Sequence, residues 1–391
     1  MAEFRRHTQN PPLAKPDVVI IGAGVVGLGI AWRLAQRGAT VTVFDQGKAG
    51  HGASHAAAGM LAACSEAEPG EQALVALCRE SQLRWPAFAA ELQQATGIDL
   101  ELRSEGTLVL ALSSDDQARL THLLAFQKTL GLPLDWLSGA ETRRREPHLT
   151  AQLAGAVWSR EDHQVDNRRL VTALRAAAEG AGAVIRERQG VERILITGDR
   201  ATGIVLCDGG EVTADVVVLA AGAWSRRIEG LAPALRPPVR PLKGQMIALR
   251  MDPAAPLVTH VIWAPNVYLV PRRDGRLLIG ATMEERGLDD ALTAGGVLSL
   301  LEAAWRAVPA IEELAIDEMW VGHRPGSRDD APILGRAPVD GLVYATGHHR
   351  NGILLAPITA DAIARLVLDD EIEPAIGKFG MERFLAAQAA E

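Results

Sequence analysis

The sequence predicts an α/β protein in which a domain with a parallel sheet is interleaved with a smaller α+β domain built on an antiparallel sheet. The first observation is a strand–glycine–helix–strand unit over residues 18–45. The second is an apolar strand at 215–220 that runs into small residues, and the third is a series of alternating strands between 237 and 319. A chain of 391 residues is long enough for two such domains.

The amino-terminal unit begins with an apolar run at 18–21, which is typical of a buried strand. A helical pattern follows to about Gly38, and a second strand at 40–44 ends on Asp45. An acid at this point accepts hydrogen bonds from ribose hydroxyls, and it disfavours a cofactor with a 2′-phosphate.

Between the first strand and the helix, Gly22, Gly24 and Gly27 give the spacing G-x-G-x-x-G. They allow a tight turn, a close approach of a pyrophosphate and close packing of the helix on the strand. The helix N-terminus offers unpaired N–H groups to phosphate. We therefore predict a Rossmann-like domain that binds a dinucleotide; an ordinary glycine-rich turn is the structural alternative.

Composition restricts the function further. The net charge of −8 gives no sign of a nucleic-acid surface, and no basic amphipathic segment suggests stable membrane association. The three cysteines show neither C-x-x-C nor metal-ligand spacing, which predicts no metal and a reduced, cytoplasmic setting. Residues 1–16 are predicted to be a disordered tail, because they lack the apolar core of a signal peptide.

Hydrophobic periodicity and capping residues predict the remaining elements. Helices are expected at 71–96 (with a possible kink at Pro86), 115–130 (capped by Ser113 or Ser114), 170–179 (capped by Asp166 or Asn167), 293–308 and 353–368. Strands are expected at 100–112, 183–187, 215–220, 245–250, 267–271, 276–280, 315–320 and 341–346, with short strands around the turns at 198–199 and 208–210. The cofactor domain then comprises 17–80, 150–230 and 322–380, and the substrate domain comprises 81–149 and 231–321.

Three more segments are rich in small residues. Residues 46–61 are mostly Gly and Ala, Gly222 and Trp224 follow a buried strand, and a turn at 347–352 leads into a helix. Small residues let backbone come close to a planar ligand, although close packing of a helix start explains the first segment equally well.

Two arginines stand among glycines just after predicted strands, Arg324 in HRPG and Arg350 in GHHRNG. A guanidinium in such a place can hold a carboxylate with two charge-assisted hydrogen bonds. Solvated surface charges are the alternative for each arginine taken alone.

Six segments together resemble one family: VVIIGAGVVGLGIAWRLAQRGATVTVFD, SHAAAGML, VVVLAAGAWS, NVYLVPRRDGRLLIGATM, HRPGSRDDAPILG and GHHRNGILLAPIT. They are similar to the glycine oxidase branch of the D-amino-acid oxidase superfamily, the FAD enzymes of bacterial thiazole (thiamine) biosynthesis. The HRPG and GHxRNGILLAP segments are the most specific to it, and the resemblance covers nearly all of the chain after the tail.

The resemblance implies roles for particular residues. Arg324 would hold the substrate carboxylate, Tyr268 would add a hydroxyl donor, Met283 would line the pocket, and Arg350 would lie near flavin and substrate. Noncovalent FAD would be held by Val25, Val26, Asp45, Gln46, Ala53, Ser54, Ala58, Gly59, Met60, Val191, Gly222 and the turn formed by His348, His349, Arg350, Asn351, Gly352, Ile353 and Leu354. Asn266 and His349 fall where family members vary, so substrate preference transfers least well.

The implied reaction is the oxidative deamination of glycine and other small amines, such as sarcosine, D-alanine and D-proline, by hydride transfer to flavin N5. O2 as acceptor would give imine or oxo acid, ammonia or amine, and H2O2, with no side chain needed as acid or base. A homo-oligomer, such as a tetramer, is implied as well. The alternatives are a D-amino-acid or imino-acid dehydrogenase with a quinone acceptor, a flavin-binding sensor, and a nicotinamide dehydrogenase.

Overall fold

A computed structural model describes residues 17–388, so the tail predicted at 1–16 lies outside the described residues. The helices, in chain order, are α1 (Val25–Gln36), α2 (Ala53–Ala56), α3 (Gln72–Thr96), α4 (Ser114–Thr129), α5 (Gly139–Arg145), α6 (Asn167–Gly180), α7 (Ala294–Ala307), α8 (Ala356–Asp369) and α9 (Glu382–Gln388). The strands are β1 (Asp17–Ile21), β2 (Thr40–Phe44), β3 (Met60–Leu61), β4 (Thr107–Ala111), β5 (Leu134–Ser138), β6 (Gly155–Ser159), β7 (His163–Gln164), β8 (Val184–Arg186), β9 (Val191–Thr197), β10 (Arg200–Leu206), β11 (Glu211–Thr213), β12 (Val216–Leu219), β13 (Arg240–Arg250), β14 (Val261–Ala264), β15 (Val267–Pro271), β16 (Arg276–Gly280), β17 (Ala315–Gly326), β18 (Ile333–Arg336) and β19 (Leu342–Thr346).

A six-stranded sheet in the order β18-β19-β12-β1-β2-β8 forms the centre of the cofactor domain. Neighbouring strands are parallel, apart from β18 and β19. The apolar run of β1 suits its central place, because helices cover one face of the sheet and the small antiparallel sheet β9–β11 covers the other. The predicted parallel-sheet domain is confirmed.

An eight-stranded sheet in the order β17-β13-β16-β15-β14-β4-β6-β5 forms the second domain. It is antiparallel except where β14 runs parallel to β4. Along β13, Ile247 and Leu249 pack in the core under α7, whereas Met246 and Ala248 belong to the opposite face, which also carries Tyr268. This alternation produces a sheet with one face in a core and the other at the cofactor domain.

The chain divides between the two sheets differently from the predicted boundaries. Strand β6 pairs with β4 and β5 in the eight-stranded sheet, whereas the sequence predicts that 150–230 belongs to the cofactor domain. Helix α3 packs on α6 and α8 through Trp85, Phe88 and Leu92, so a boundary at residue 80 cuts through it. An amphipathic pattern predicts that a helix has an apolar face but does not identify the sheet on which that face packs.

Several elements end elsewhere than predicted, for local reasons. The strand predicted at 100–112 begins only at Thr107, because Gly106 has a φ of +95° and lies against the backbone of Ser159. The helix predicted from residue 353 begins at Ala356, after a 3-10 turn at His349–Asn351. Helix α3 runs without interruption through Pro86. None of the helices described is both long and apolar enough to cross a bilayer.

The predicted capping residues can be identified individually. Ser113, not Ser114, caps α4, and its hydroxyl and the Asp116 carboxylate form a capping box. Asp166, not Asn167, caps α6 by accepting from the N–H groups of Arg168 and Arg169.

Candidate active site

A cavity of about 1240 Å³ lies between the carboxyl ends of the parallel strands and the face of the eight-stranded sheet that is turned toward the cofactor domain. Pockets for small ligands usually occupy about 300–1,000 Å³, so this one has room for a large cofactor and a small substrate together. Almost all of the predicted site residues line it: Gly22, Gly24, Val25, Val26, Asp45, Gln46, Ala53, Ser54, Ala58, Gly59, Met60, Val191, Gly222, Trp224, Tyr268, Met283, Arg324, His348, His349, Arg350, Asn351, Gly352 and Ile353.

The glycines of the first motif have the geometry that the spacing predicts. Gly22 has a φ of +107° and lies against the backbone of Ala220, so a side chain has no place there. Gly27 does not line the cavity; its Cα lies so near Gly22 that a Cβ would overlap the Gly22 carbonyl oxygen. The helix can therefore start close to the sheet, and Gly24, at its N-cap, provides no side-chain cap.

Asp45 connects the glycine turn after β1 to the loop that follows β2. One carboxylate oxygen accepts from Ala23 N at 2.8 Å and the other from Gly47 N at 2.8 Å. Each oxygen keeps a lone pair for a second donor. The acid thus fixes the glycine turn and remains available to a ribose hydroxyl.

Buried polar side chains, which the sequence analysis did not assign to the site, make hydrogen bonds to the backbone of the small-residue loop (residues 46–61). Arg272 donates from Nη2 to the carbonyl of Ala58 at 2.6 Å and from Nη1 to Gln164 Oε1 at 2.7 Å. Asn167 donates to the carbonyls of Ser54 and His55. Burial lowers the pKa of Arg272 to about 10, so it remains charged at neutral pH. In the sequence, the only indication of a role for Arg272 is its position directly after a predicted strand.

The turn at residues 348–354, called the carboxy-terminal turn below, forms another wall of the cavity. His348 is buried, its Nε2 lies 3.2 Å from Thr359 Oγ1, and burial lowers its pKa to about 4. Leu354 does not line the cavity, unlike the rest of the turn. Its carbonyl instead accepts from Ser81 Oγ at 2.7 Å and Trp85 Nε1 at 2.9 Å, which ties the turn to α3.

Arg324 and Tyr268 stand together on the wall formed by the eight-stranded sheet. Arg324 donates from Nη1 to the carbonyl of Thr282 at 3.1 Å and makes no ion pair within residues 17–388. The Tyr268 hydroxyl donates to Met246 Sδ at 3.3 Å, a weak acceptor. Burial raises the pKa of Tyr268, and the nearby Arg324 charge opposes that rise. Met283 is 63% exposed, which places it at the mouth of the cavity.

Arg350 does not share the situation of Arg324, although the sequence suggested a carboxylate grip for both. It donates from Nε to Glu66 at 2.7 Å and from Nη2 to Glu71 at 2.8 Å. Two carboxylates of the protein already balance its charge. Arg350 therefore lines the cavity as a member of an ion-pair cluster, and Arg324 is the better candidate for binding a substrate carboxylate.

These features fit FAD. The glycine turn and the start of α1, where Val25 N donates to Ser54 Oγ and Gly24 has no capping side chain, suit a pyrophosphate. Asp45 suits a ribose, and three close-packed backbone segments suit a long ligand with a flat ring system. Among the residues described, no group of three or more His, Cys, Asp and Glu side chains is arranged to bind a metal.

Comparisons with known proteins agree with this reading. The FAD dependent oxidoreductase family model matches residues 17–366. The chain is 39% identical over 378 residues to the glycine oxidase of Geobacillus kaustophilus (strain HTA426), a match covering 96% of this chain and 99% of that protein. The crystal structure of glycine oxidase from Geobacillus kaustophilus matches with a TM-score of 0.87 and 39% identity, over 94% of this chain and 98% of that one.

A longer relative is also similar. The bifunctional protein ThiO/ThiG of Synechocystis sp. is 41% identical over 379 residues, which is 94% of this chain but 54% of that protein. The chain thus spans about half the length of this relative. From the family match and the full-length similarity to a glycine oxidase, the chain belongs to the FAD-dependent oxidoreductase family, in the branch that contains the glycine oxidases.

Proposed function

We propose that this chain catalyses FAD-dependent oxidative deamination of glycine and similar small amines that carry a carboxylate, such as sarcosine, D-alanine and D-proline. The observation that carries the proposal is the Arg324 guanidinium, which lines the cavity without a carboxylate partner among residues 17–388. A planar guanidinium holds a carboxylate with two parallel hydrogen bonds. Tyr268, next to it, gives a second donor, whose hydroxyl now donates to the Met246 thioether and also interacts with Arg324.

In this proposal the protein binds and orients, and FAD, when bound, supplies the two-electron acceptor for cleavage of the substrate Cα–H bond. The residues around the glycine turn, the loop at Ala58 and the carboxy-terminal turn hold the cofactor. Arg324 fixes one end of the substrate, which sets the direction of the Cα–H bond.

The histidines and the lysine near the cavity are poor candidates for a general base, which suits a reaction that requires none. The histidines of the carboxy-terminal turn are weak bases: burial lowers the pKa of His348 to about 4 and that of His349 to about 3. Lys243 is fully buried, and its Nζ donates to Asp289 at 2.6 Å and to the Ala291 carbonyl at 2.5 Å. His323 faces the same loop, with Nε2 3.2 Å from the Asp289 carbonyl.

The test is anaerobic. Glycine is added to the purified flavoprotein, the absorbance of the oxidised flavin is followed, and air is then admitted. Bleaching followed by recovery with formation of H2O2 supports an oxidase that uses O2. Bleaching without recovery supports the dehydrogenase alternative. The absence of bleaching with glycine, sarcosine, D-alanine and D-proline contradicts the proposed function.

We also propose that the enzyme acts in the cytoplasm as a homo-oligomer and supplies an oxidised amine for thiazole synthesis. The similarity to a ThiO/ThiG protein supports that role. Light scattering on the holoprotein measures the oligomeric state directly.

A further inference from the structure

His349 has an unusual position in the wall of the cavity. It opens the 3-10 turn His349–Asn351 with a φ of +47°, in the left-handed region that residues other than glycine rarely adopt. Its side chain is 6% exposed, and neither Nδ1 nor Nε2 has a hydrogen-bond partner within residues 17–388. Strained backbone and an unpaired buried imidazole both carry a cost, and such costs are found where a ligand makes use of them.

Two other polar side chains of the cavity wall are donors only. The Arg324 guanidinium and the Trp263 indole can only donate, and the Trp263 N–H is itself buried without a partner among the described residues. The nearby carboxylates, Glu66 and Glu71, are engaged by Arg350. A substrate carboxylate thus finds donors, whereas a substrate amine, which donates, needs an acceptor.

We propose that His349 binds the amine of the substrate by accepting a hydrogen bond from its N–H group. Neutral imidazole has one ring nitrogen with a free lone pair, and both ring nitrogens of His349 are uncommitted. Together Arg324 and His349 recognise the two ends of an α-amino acid. This inference rests on the proposed function, because it assumes a substrate with a carboxylate on Arg324.

The electrostatic surroundings agree with an acceptor role. Burial lowers the pKa of His349 to about 3, and the charges of Arg350, Arg324 and Arg240 act in the same direction. The ring therefore stays neutral and keeps its lone pair over the physiological range. Because the ring is too weak a base to remove a proton from an ammonium group, we assign it the binding of the amine and not its deprotonation.

The experiment compares two unreactive ligands, acetate and glycolate, on the FAD-loaded protein. Both carry a carboxylate, but only glycolate has a donor in the place of the amine. Their dissociation constants are measured by calorimetry and by the shift of the flavin absorbance. We expect glycolate to bind about 2- to 13-fold more tightly than acetate, the ratio that one neutral hydrogen bond of ~0.5–1.5 kcal/mol gives.

In His349→Phe we expect this ratio to fall to about 1 while the affinity for acetate is kept. An unchanged ratio overturns the proposal, and so does an equal weakening of both ligands, which would mean that the ring only shapes the pocket. Arg324→Lys is the matched control, because it should weaken both ligands and leave their ratio unchanged. If the wild-type protein binds neither ligand, the proposed function fails instead.

A second variant guards against misfolding of the first. His349→Gly removes the imidazole and suits the positive φ. We expect it to lose the preference for glycolate and to regain it when free imidazole is added. If His349→Gly keeps the wild-type ratio without imidazole, His349 is not the acceptor.

Discussion

Replacing Arg324 by alanine tests the central assignment of the site. The guanidinium is half-buried in the cavity wall, donates to the carbonyl of Thr282 and interacts with the Tyr268 hydroxyl. That carbonyl belongs to a half-exposed residue, so water can replace the lost donor. Arg324→Ala should therefore keep its fold and its FAD.

The expected loss follows from the two hydrogen bonds that a guanidinium gives to a carboxylate. Hydrogen bonds to charged groups contribute about 1.5–3 kcal/mol each. Since the Arg324 side chain is half-exposed, we take the lower value for each bond, or about 3 kcal/mol for the pair. At ~1.4 kcal/mol per factor of ten, this corresponds to about 150-fold weaker binding.

The assay measures kcat/KM for glycine and the dissociation constant of acetate, together with flavin content and melting temperature. A decrease in kcat/KM for glycine and a decrease in affinity for acetate, each on the order of 100-fold and with normal flavin content, agree with this assignment. Wild-type affinity for acetate in Arg324→Ala would refute it, since the carboxylate would then be bound elsewhere.

Three further predictions concern other parts of the cavity. Tyr268→Phe removes a hydroxyl whose present partner is a thioether, so glycine should bind only about 2- to 10-fold more weakly, for a loss of up to ~1.4 kcal/mol; a loss as large as that of Arg324→Ala would contradict this. Gly27→Ala places a Cβ against the Gly22 carbonyl and should abolish FAD binding, measured by flavin content, whereas Gly295→Ala, which meets nothing within 4 Å, should have no such effect. Arg350→Met leaves the Glu66 carboxylate without its partner. Burial raises the pKa of Glu66 and the Arg350 charge opposes that rise, so the variant should raise the pKa of Glu66 further. A carboxyl group with a raised pKa in the folded state lowers the free energy of unfolding as pH increases. The melting temperature of Arg350→Met should thus drop more at pH 7 than near ~pH 4.5 relative to wild type, and an equal drop at both would show that Glu66 is not the cause.

The cofactor end of the site could be predicted from sequence because its determinants are close together along the chain. Gly22, Gly24, Gly27 and Asp45 lie within one strand–helix–strand unit, and their spacing dictates the geometry. The sequence also points to Arg324 as a donor, although the strand predicted to end at residue 320 continues to Gly326, so Arg324 lies within β17 and not after it. Such local features can be predicted from the sequence because they depend on the backbone conformation of a short segment.

The remainder of the site depends on contacts between distant residues. Arg350 meets Glu66 across 284 positions, and Arg272 reaches the Ala58 carbonyl across 214. No pattern within a short window reveals such pairs, so Arg350 resembled Arg324 in the sequence and differs from it in the structure. Helix α3 was divided between domains for the same reason.

The strand order of the six-stranded sheet also affects how the chain acquires its cofactor during synthesis. Strands β1 and β2 are synthesised well before the edge strand β18, its neighbour β19 and the turn that follows them. Before that turn is made, the nascent chain has the glycine turn but lacks the opposite wall of the cofactor cavity. We therefore expect flavin to bind only after the carboxy-terminal turn at residues 348–354 has been synthesised, so the ligand cannot stabilise the earlier part of the chain before that point.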